Sequence, residues 1–156
     1  MDPKLISPAA ARNIPPILKA LEPLVQSLET SQKGPLRALE VASGPGQHLI
    51  AFAQTFPNVT WTPSEVNEEN IASGLTNIEP PLLIDASSSR AEWKISDASM
   101  DLIVNVNMVH ISPWSASQGL FAASGNILRP NGLLSNLDFD ASLKSSNNHI
   151  LVYQKK

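Results

Sequence analysis

The sequence predicts an α/β fold, a mostly parallel sheet with helices on both faces, forming a single domain over residues 1–156. Three observations lead there. Short apolar runs alternate with stretches of helical periodicity. The first of those runs hands over to a helix through a glycine-rich turn. The length of 156 residues suits one domain around one core.

The elements follow in order. Ile14, Ile17, Leu18, Leu21, Val25 and Leu28 recur at helical spacing over 14–29. Pro15 and Pro16 suit a first turn, and Pro23 is expected to kink or break this helix. Residues 36–42 are a short apolar run, read as a buried strand, ending in Ser43-Gly44-Pro45-Gly46. Leu49, Phe52, Ala53 and Phe56 place an apolar stripe on a helix over 47–56 that stops at Pro57. Residues 59–62 and 82–84 read as short strands. Between them, 67–73 has room for about two turns at ~3.6 residues each, and Glu68 and Glu69 are expected to face solvent.

Residues 101–107 (DLIVNVN) form the next strand. Ser115 and Gln118 have the spacing of a capping box at the start of a helix carrying Leu120, Phe121, Ile127 and Leu128. Arg129-Pro130-Asn131-Gly132 reads as a turn, 133–137 as a fifth strand and 150–153 as the last. Crossovers after the first strands predict a parallel order 3-2-1-4-5. The stretch 135–149 lacks helical periodicity, so the last strand is expected antiparallel beside the fifth. Its outer side is then an open edge that favours self-association, with Lys155 and Lys156 nearby as charges that discourage pairing.

Composition excludes several function classes. Hydrophobic residues make up 42% and charged ones 16%, a globular rather than disordered balance. The net charge of −3, from 11 basic and 14 acidic side chains, leaves no basic stripe, so stand-alone nucleic-acid binding is not expected. With no cysteine there is no disulfide scaffold, thiol catalysis or cysteine-ligated zinc. His48 and His149 have no carboxylate at ligand spacing, and no metal site is predicted. No apolar run approaches the ~20 residues that span a bilayer, and residues 1–8 lack a signal-peptide layout, so a cytoplasmic or nuclear protein without a membrane partner is expected.

The chemistry concentrates in Leu39-Glu40-Val41-Ala42-Ser43-Gly44-Pro45-Gly46, where strand gives way to helix. Gly44 and Gly46 let a ligand approach the backbone, and the helix start supplies free N–H groups. A dinucleotide fingerprint needs a third glycine where this chain has Leu49, which argues against NAD. An acidic residue in the strand end, Glu40, before a small-residue turn through Ala42 is instead the pattern of S-adenosylmethionine binding. Glu65, 19 residues beyond Gly46, can accept the hydroxyls of a ribose or simply be a solvated loop glutamate. Asp85, ending the third strand, can accept from an adenine amino group while the Ala86 N–H faces a ring nitrogen. Equally, it can be a turn aspartate. The fourth strand brings Asn105, Asn107, His110 and Trp114 to the same sheet edge. Asn107 can orient an acceptor, and His110 can take a proton from it. Trp114 suits core or pocket wall.

The segments LEVASGPGQH (39–48), FAQTFPNVTWTPSE (52–65) and NVNMVHISPW (105–114), with GLF at 119–121 and Ala10-Ala11-Arg12-Asn13 near the start, resemble the methyltransferase-like protein 26 family. The resemblance covers nearly the whole chain. It implies a Rossmann-like class I methyltransferase sheet and a pocket for S-adenosyl-L-methionine. The candidate cofactor-binding residues are Arg12, Glu40, Ala42, Gly44, Gly46, Glu65, Asp85, Ala86 and Asn105, and the candidate catalytic residues are Asn107 and His110. The methyl acceptor is not implied. The chain is shorter than that family after Glu65, after Leu134 and after Ser145, and it is read as a form with a truncated C-terminal part. Two functions are therefore expected: methyl transfer to an unknown acceptor or, as the alternative, an inactive cofactor-binding or scaffold protein on the same fold.

Overall fold

A computed structural model describes residues 7–65, 74–138 and 149–156. The expected helix at 67–73 and the side chains of Glu68 and Glu69 lie outside the described residues.

Among the described residues six strands form one sheet: β1 (Leu36–Val41), β2 (Val59–Glu65), β3 (Leu82–Leu83), β4 (Met100–Val106), β5 (Leu128–Asp138) and β6 (His149–Gln154). Their order is β3-β2-β1-β4-β5-β6. All neighbours are parallel except β5 and β6, which run antiparallel from Leu133↔Gln154 to Asp138↔His149. This is the predicted topology. Helices α1 (Pro8–Ser31) and α2 (Gln47–Thr55) cover one face, and α3 (Trp114–Ile127) covers the other. Alternation along β1 sorts the core: Ala38 packs with α1 and α2, whereas Leu39 and Val41 pack with α3.

The structure departs from the sequence reading in four places, each with a local cause. Helix α1 starts at Pro8, behind an N-cap at Ser7 whose hydroxyl oxygen accepts the Ala10 N–H at 3.4 Å. The first-turn proline is thus Pro8, and Pro15, Pro16 and Pro23 lie inside a helix that does not stop. All three are exposed, while Ile17, Leu21, Val25 and Leu28 are buried. Carbonyls left without an N–H partner therefore face water, and the apolar stripe holds the helix to the sheet.

Strand β2 continues through Pro63 to Glu65. The Trp61 N–H points away from β1, to the Asn77 carbonyl at 2.9 Å. Two residues on, the Pro63 nitrogen faces that same side, where pairing with β3 begins only at Ser64. The missing donor therefore interrupts no ladder.

The expected turn at 129–132 is an irregularity within β5, which follows α3 directly. Asn131 has φ +66°, and the β4–β5 register shifts between Met100 and Leu102. The fully buried Asp101 carboxylate fixes this corner, accepting from the Arg37 backbone N–H at 2.8 Å and the Arg129 guanidinium at 3.1 Å. Finally, Ser115 and Gln118 do not cap α3. Its N-cap is Pro113, with no side-chain cap. The capping box of this region belongs instead to a short 3-10 turn at Arg90–Trp93, where Ser89 and Glu92 cap each other. Among the described residues no helix is long and apolar enough to cross a membrane.

Candidate cofactor site

The end of β1 is a chain of unusual backbone angles. Ala42 has φ +62°, Gly44 +52° and Gly46 +78°, the last as N-cap of α2. Left-handed conformations cost glycine little, and they turn consecutive N–H groups toward one side. Two serines stitch the turn to β2. The Ser43 N–H donates to the Ser64 carbonyl (2.8 Å), and the Ser43 hydroxyl oxygen accepts from the Ser64 N–H (3.1 Å). Both hydroxyls donate to the Glu40 carbonyl, at 3.2 and 2.9 Å. Glu65 completes the arrangement: its carboxylate accepts the Gly44 N–H at 2.7 Å. The spacing that singled out Glu65 thus places it against the glycine turn.

Above this turn, at the carboxyl ends of the strands, lies a cavity of about 550 Å³. That is within the roughly 300–1,000 Å³ of small-molecule sites. Ala42, Gly44, Glu65, Asp85, Ala86 and Asn107 line it, so six of the predicted site residues come together. The opposite wall is apolar: Val106, Met108, Ile111, Pro113 and Ala116. A Cβ added at Gly44 would have no heavy atom within 4 Å, so the space over the turn is open. An open turn with a carboxylate beside it would suit the charged end and the ribose of S-adenosylmethionine.

Five predicted residues do not line the cavity. Gly46 is buried at the α2 start, and Arg12 is exposed on α1. Asn105 is fully buried on the α3 face, where its amide donates to the Val41 carbonyl at 3.1 Å. Glu40 lies beneath the turn with 1% of its surface exposed, and its Oε2 has no partner. Burial pushes the Glu40 carboxyl up to about 8. The Ser43 side chain opposes the shift, and the neighbouring Glu65 charge adds to it. His110 stands in the turn after β4, closed by the Ile111 N–H to the Met108 carbonyl at 3.1 Å. Its chain neighbours Met108 and Ile111 line the cavity, while His110 itself is about half exposed and turned to Asp138.

Asp85 is a turn aspartate, one of the two roles the sequence left open, and it also lines the cavity. Its Oδ1 accepts from the Ser87 N–H (2.8 Å) and hydroxyl (2.6 Å), and these bonds hold its carboxyl below the ordinary value. The ionised Asp85 still faces the cavity.

Several contributors were not foreseen. Ser43 and Ser64 build the turn. Gln47 accepts the Ser7 N–H at 2.7 Å, tying the start of α1 to α2. Gly119 lets α3 lie against the Ala86 loop: a Cβ there would fall 1.8 Å from the Ala86 carbonyl oxygen. Asp138, at the end of β5, bonds His110 at 3.1 Å. Only Gly119 had a local signal, a glycine inside an otherwise ordinary helix.

The chain has the Rossmann-like fold of the S-adenosylmethionine-dependent methyltransferases. Solved structures of that class superpose on it at low identity. A Methanococcus maripaludis protein provisionally named an S-adenosyl-L-methionine-dependent methyltransferase gives a TM-score of 0.61 at 19% identity, over 84% of this chain and 57% of that one. The DszA carbon methyltransferase gives 0.60 at 15% identity, over 85% and 36%. The trans-methyltransferase CalH, solved with S-adenosylhomocysteine, gives 0.56 at 18%, over 74% and 35%. The chain spans less than two thirds of each of these proteins. By sequence it matches the family described as protein of unknown function (DUF938) over residues 4–154, and it belongs to that family.

Proposed function

We propose that this protein binds S-adenosyl-L-methionine and transfers its methyl group to an acceptor at the apolar end of the cavity. The observation that carries this reading is Glu65, held against the Gly44 N–H on the floor of that cavity. In the proposal Glu65 takes the ribose hydroxyls, Asp85 and the Ala86 N–H take the adenine edge, and the 42–46 turn takes the charged end. The cofactor supplies an activated methyl group. The chain's own task is to hold an acceptor in line with it and exclude water, which is where most of the rate of such a transfer arises. In this reading Asn107, which lines the cavity at φ +59°, orients the acceptor, and His110, three residues further on, receives its proton.

The resemblance to the methyltransferase-like protein 26 family supports the same reading. Calorimetry with S-adenosylhomocysteine tests it: the folded chain is expected to bind, and absence of heat at high protein concentration overturns it. The three contractions favour a second reading, a cofactor-binding scaffold without activity. In that case the cofactor protects the chain from proteolysis, yet no acceptor in a cell extract is methylated.

A further inference from the structure

The His110 imidazole, three residues beyond the cavity-lining Asn107, is not alone. His110 Nδ1 lies 3.1 Å from Asp138 Oδ1, and Asp138 Oδ2 accepts the side-chain amide of Asn136 at 3.1 Å. Asn136 is buried, with 2% exposure, and Asp138 is mostly covered. β5 carries both: Asn136 pairs with Asn105 in the register, and Asp138 ends the strand. A rigid strand therefore presents a carboxylate whose two oxygens have separate duties.

An ionised carboxylate only accepts, so the Asn136 atom facing it is the NH2 group, and the neutral imidazole donates through Nδ1. We infer that Asp138 is a positioning residue which holds His110 in the Nδ1–H tautomer, leaving Nε2 as the proton acceptor for an uncharged hydroxyl substrate. This deepens the proposed function and rests on it.

The chemistry narrows the acceptor. Thiolates and carboxylates reach the methyl carbon already ionised and need no base. A hydroxyl does need one: as its oxygen bonds to the methyl carbon, the carbon–sulfur pair returns to sulfur and the O–H proton passes to His110 Nε2. Among the described residues no lysine or arginine lines the cavity. Val106, Met108, Ile111, Pro113 and Ala116 suit an apolar body, such as an aromatic ring bearing the hydroxyl.

Asn136 makes the test sharp. In Asp138→Asn the Asn136 NH2 still needs an acceptor, so it takes the new amide's oxygen. The new amide's NH2 then faces His110 Nδ1 and forces the proton to Nε2. Long-range proton–nitrogen NMR on the full chain at mildly alkaline pH reads the tautomer directly, with His110 assigned by its loss in His110→Gln. The expected result is Nδ1–H in the wild type and Nε2–H in Asp138→Asn. The same tautomer in both, or Nε2–H in the wild type, overturns the inference. Asp138→Ala, which removes the carboxylate without substituting a donor, should give a mixture and is the second variant should Asp138→Asn fold poorly.

The acceptor class is read by transfer from methyl-labelled S-adenosylmethionine to 4-methylphenol. His110→Gln should lower it about 100-fold or more while leaving S-adenosylhomocysteine binding intact. A chain that binds S-adenosylhomocysteine but methylates no simple phenol overturns the hydroxyl acceptor. A chain that does not bind it overturns the proposed function instead, and the tautomer measurement still decides the Asp138–His110 coupling.

Discussion

At the carboxyl ends of β1 and β2 the chain uses its polar side chains on itself: Ser43, Ser64 and Glu65 all bond the glycine turn, and the carboxylate that does so lines the cavity. At the far side of the same sheet, β6 does the opposite. Ile150, Leu151, Val152 and Tyr153 are each 42–46% exposed, on both faces of an edge strand. One of these regions holds its shape through hydrogen bonds that need particular residues at particular places. The other holds through strand pairing with β5 and an edge-to-face contact between Phe121 and Tyr153, ring centroids 4.9 Å apart. The difference teaches where substitutions should be specific in their effect and where they should be general.

The largest effect is expected at Gly119, where the cavity region leans on α3. Replacing glycine by alanine inside a helix normally gains about 1 kcal/mol of propensity. Here the new methyl would meet the Ala86 carbonyl oxygen at 1.8 Å, and a backbone atom cannot rotate away. Gly119→Ala should therefore lose stability beyond the ~1–3 kcal/mol usual for overpacking, and it should lose S-adenosylhomocysteine binding because Ala86 lines the cavity. Urea unfolding and calorimetry check both. A variant as stable as wild type would mean that the helix stands off from the loop.

Glu40 comes next. Its carboxyl titrates near 4.5 when unfolded and near 8 when folded. Between those values the folded chain holds a proton that the unfolded chain has lost. Stability is therefore full below about 4.5, falls as pH rises through the window, and levels off above about 8. At ~1.4 kcal/mol per pKa unit this is on the order of a few kcal/mol. Glu40→Gln should flatten that dependence and be the more stable protein at alkaline pH, as thermal melts across the window would show. An equal slope in both proteins would place the pH dependence elsewhere.

Glu65→Ala should cost roughly 1–3 kcal/mol of cofactor affinity, because a charged acceptor is lost both to the ligand and to the Gly44 N–H. Calorimetry reads this, and wild-type affinity would make Glu65 a support of the turn alone.

The contrast between the two regions also explains what could be read from the sequence. The β1, β4 and β6 segments were legible as apolar runs, and their order followed from crossover rules. The glycine turn and Glu65 were legible because strand end, turn and second strand end recur at fixed spacing. What the sequence did not disclose were contacts across long separations. Ser43 with Ser64, His110 with Asp138, and Gly119 against Ala86 join residues 21 to 33 apart, and each residue alone resembles an ordinary surface or helix position. The early start of α1 does have a local signal, since Ser7-Pro8 is a cap followed by a first-turn proline. β2 runs past residue 62 because a proline blocks a strand only where its missing donor would have been used.

The smallest effect on stability is expected at β6, where the effect on association should be largest. Val152 pairs with Ser135 on one side, and on the other β6 is the last strand of the sheet among the described residues. An edge strand offers unpaired N–H and C=O groups, and the stretch from 149 to 154 carries no acidic residue, lysine or arginine to deter a second strand. Lys155 does not serve that purpose: its ammonium is turned inward onto the Leu128 carbonyl at 2.7 Å, and its backbone pairs with Asn131 and Gly132. The wild-type chain is therefore expected to self-associate at high concentration through antiparallel pairing of two β6 edges. Val152→Lys sets a charge in the middle of that edge at a half-exposed position. It should change stability by less than ~1 kcal/mol while shifting sedimentation toward the monomer. Wild-type protein that sediments as a clean monomer at high concentration would show that the exposed strand is tolerated as it stands. Association that survives the lysine would move the contact to another surface, with Ile111 and Trp114, 76% and 72% exposed, the first to replace.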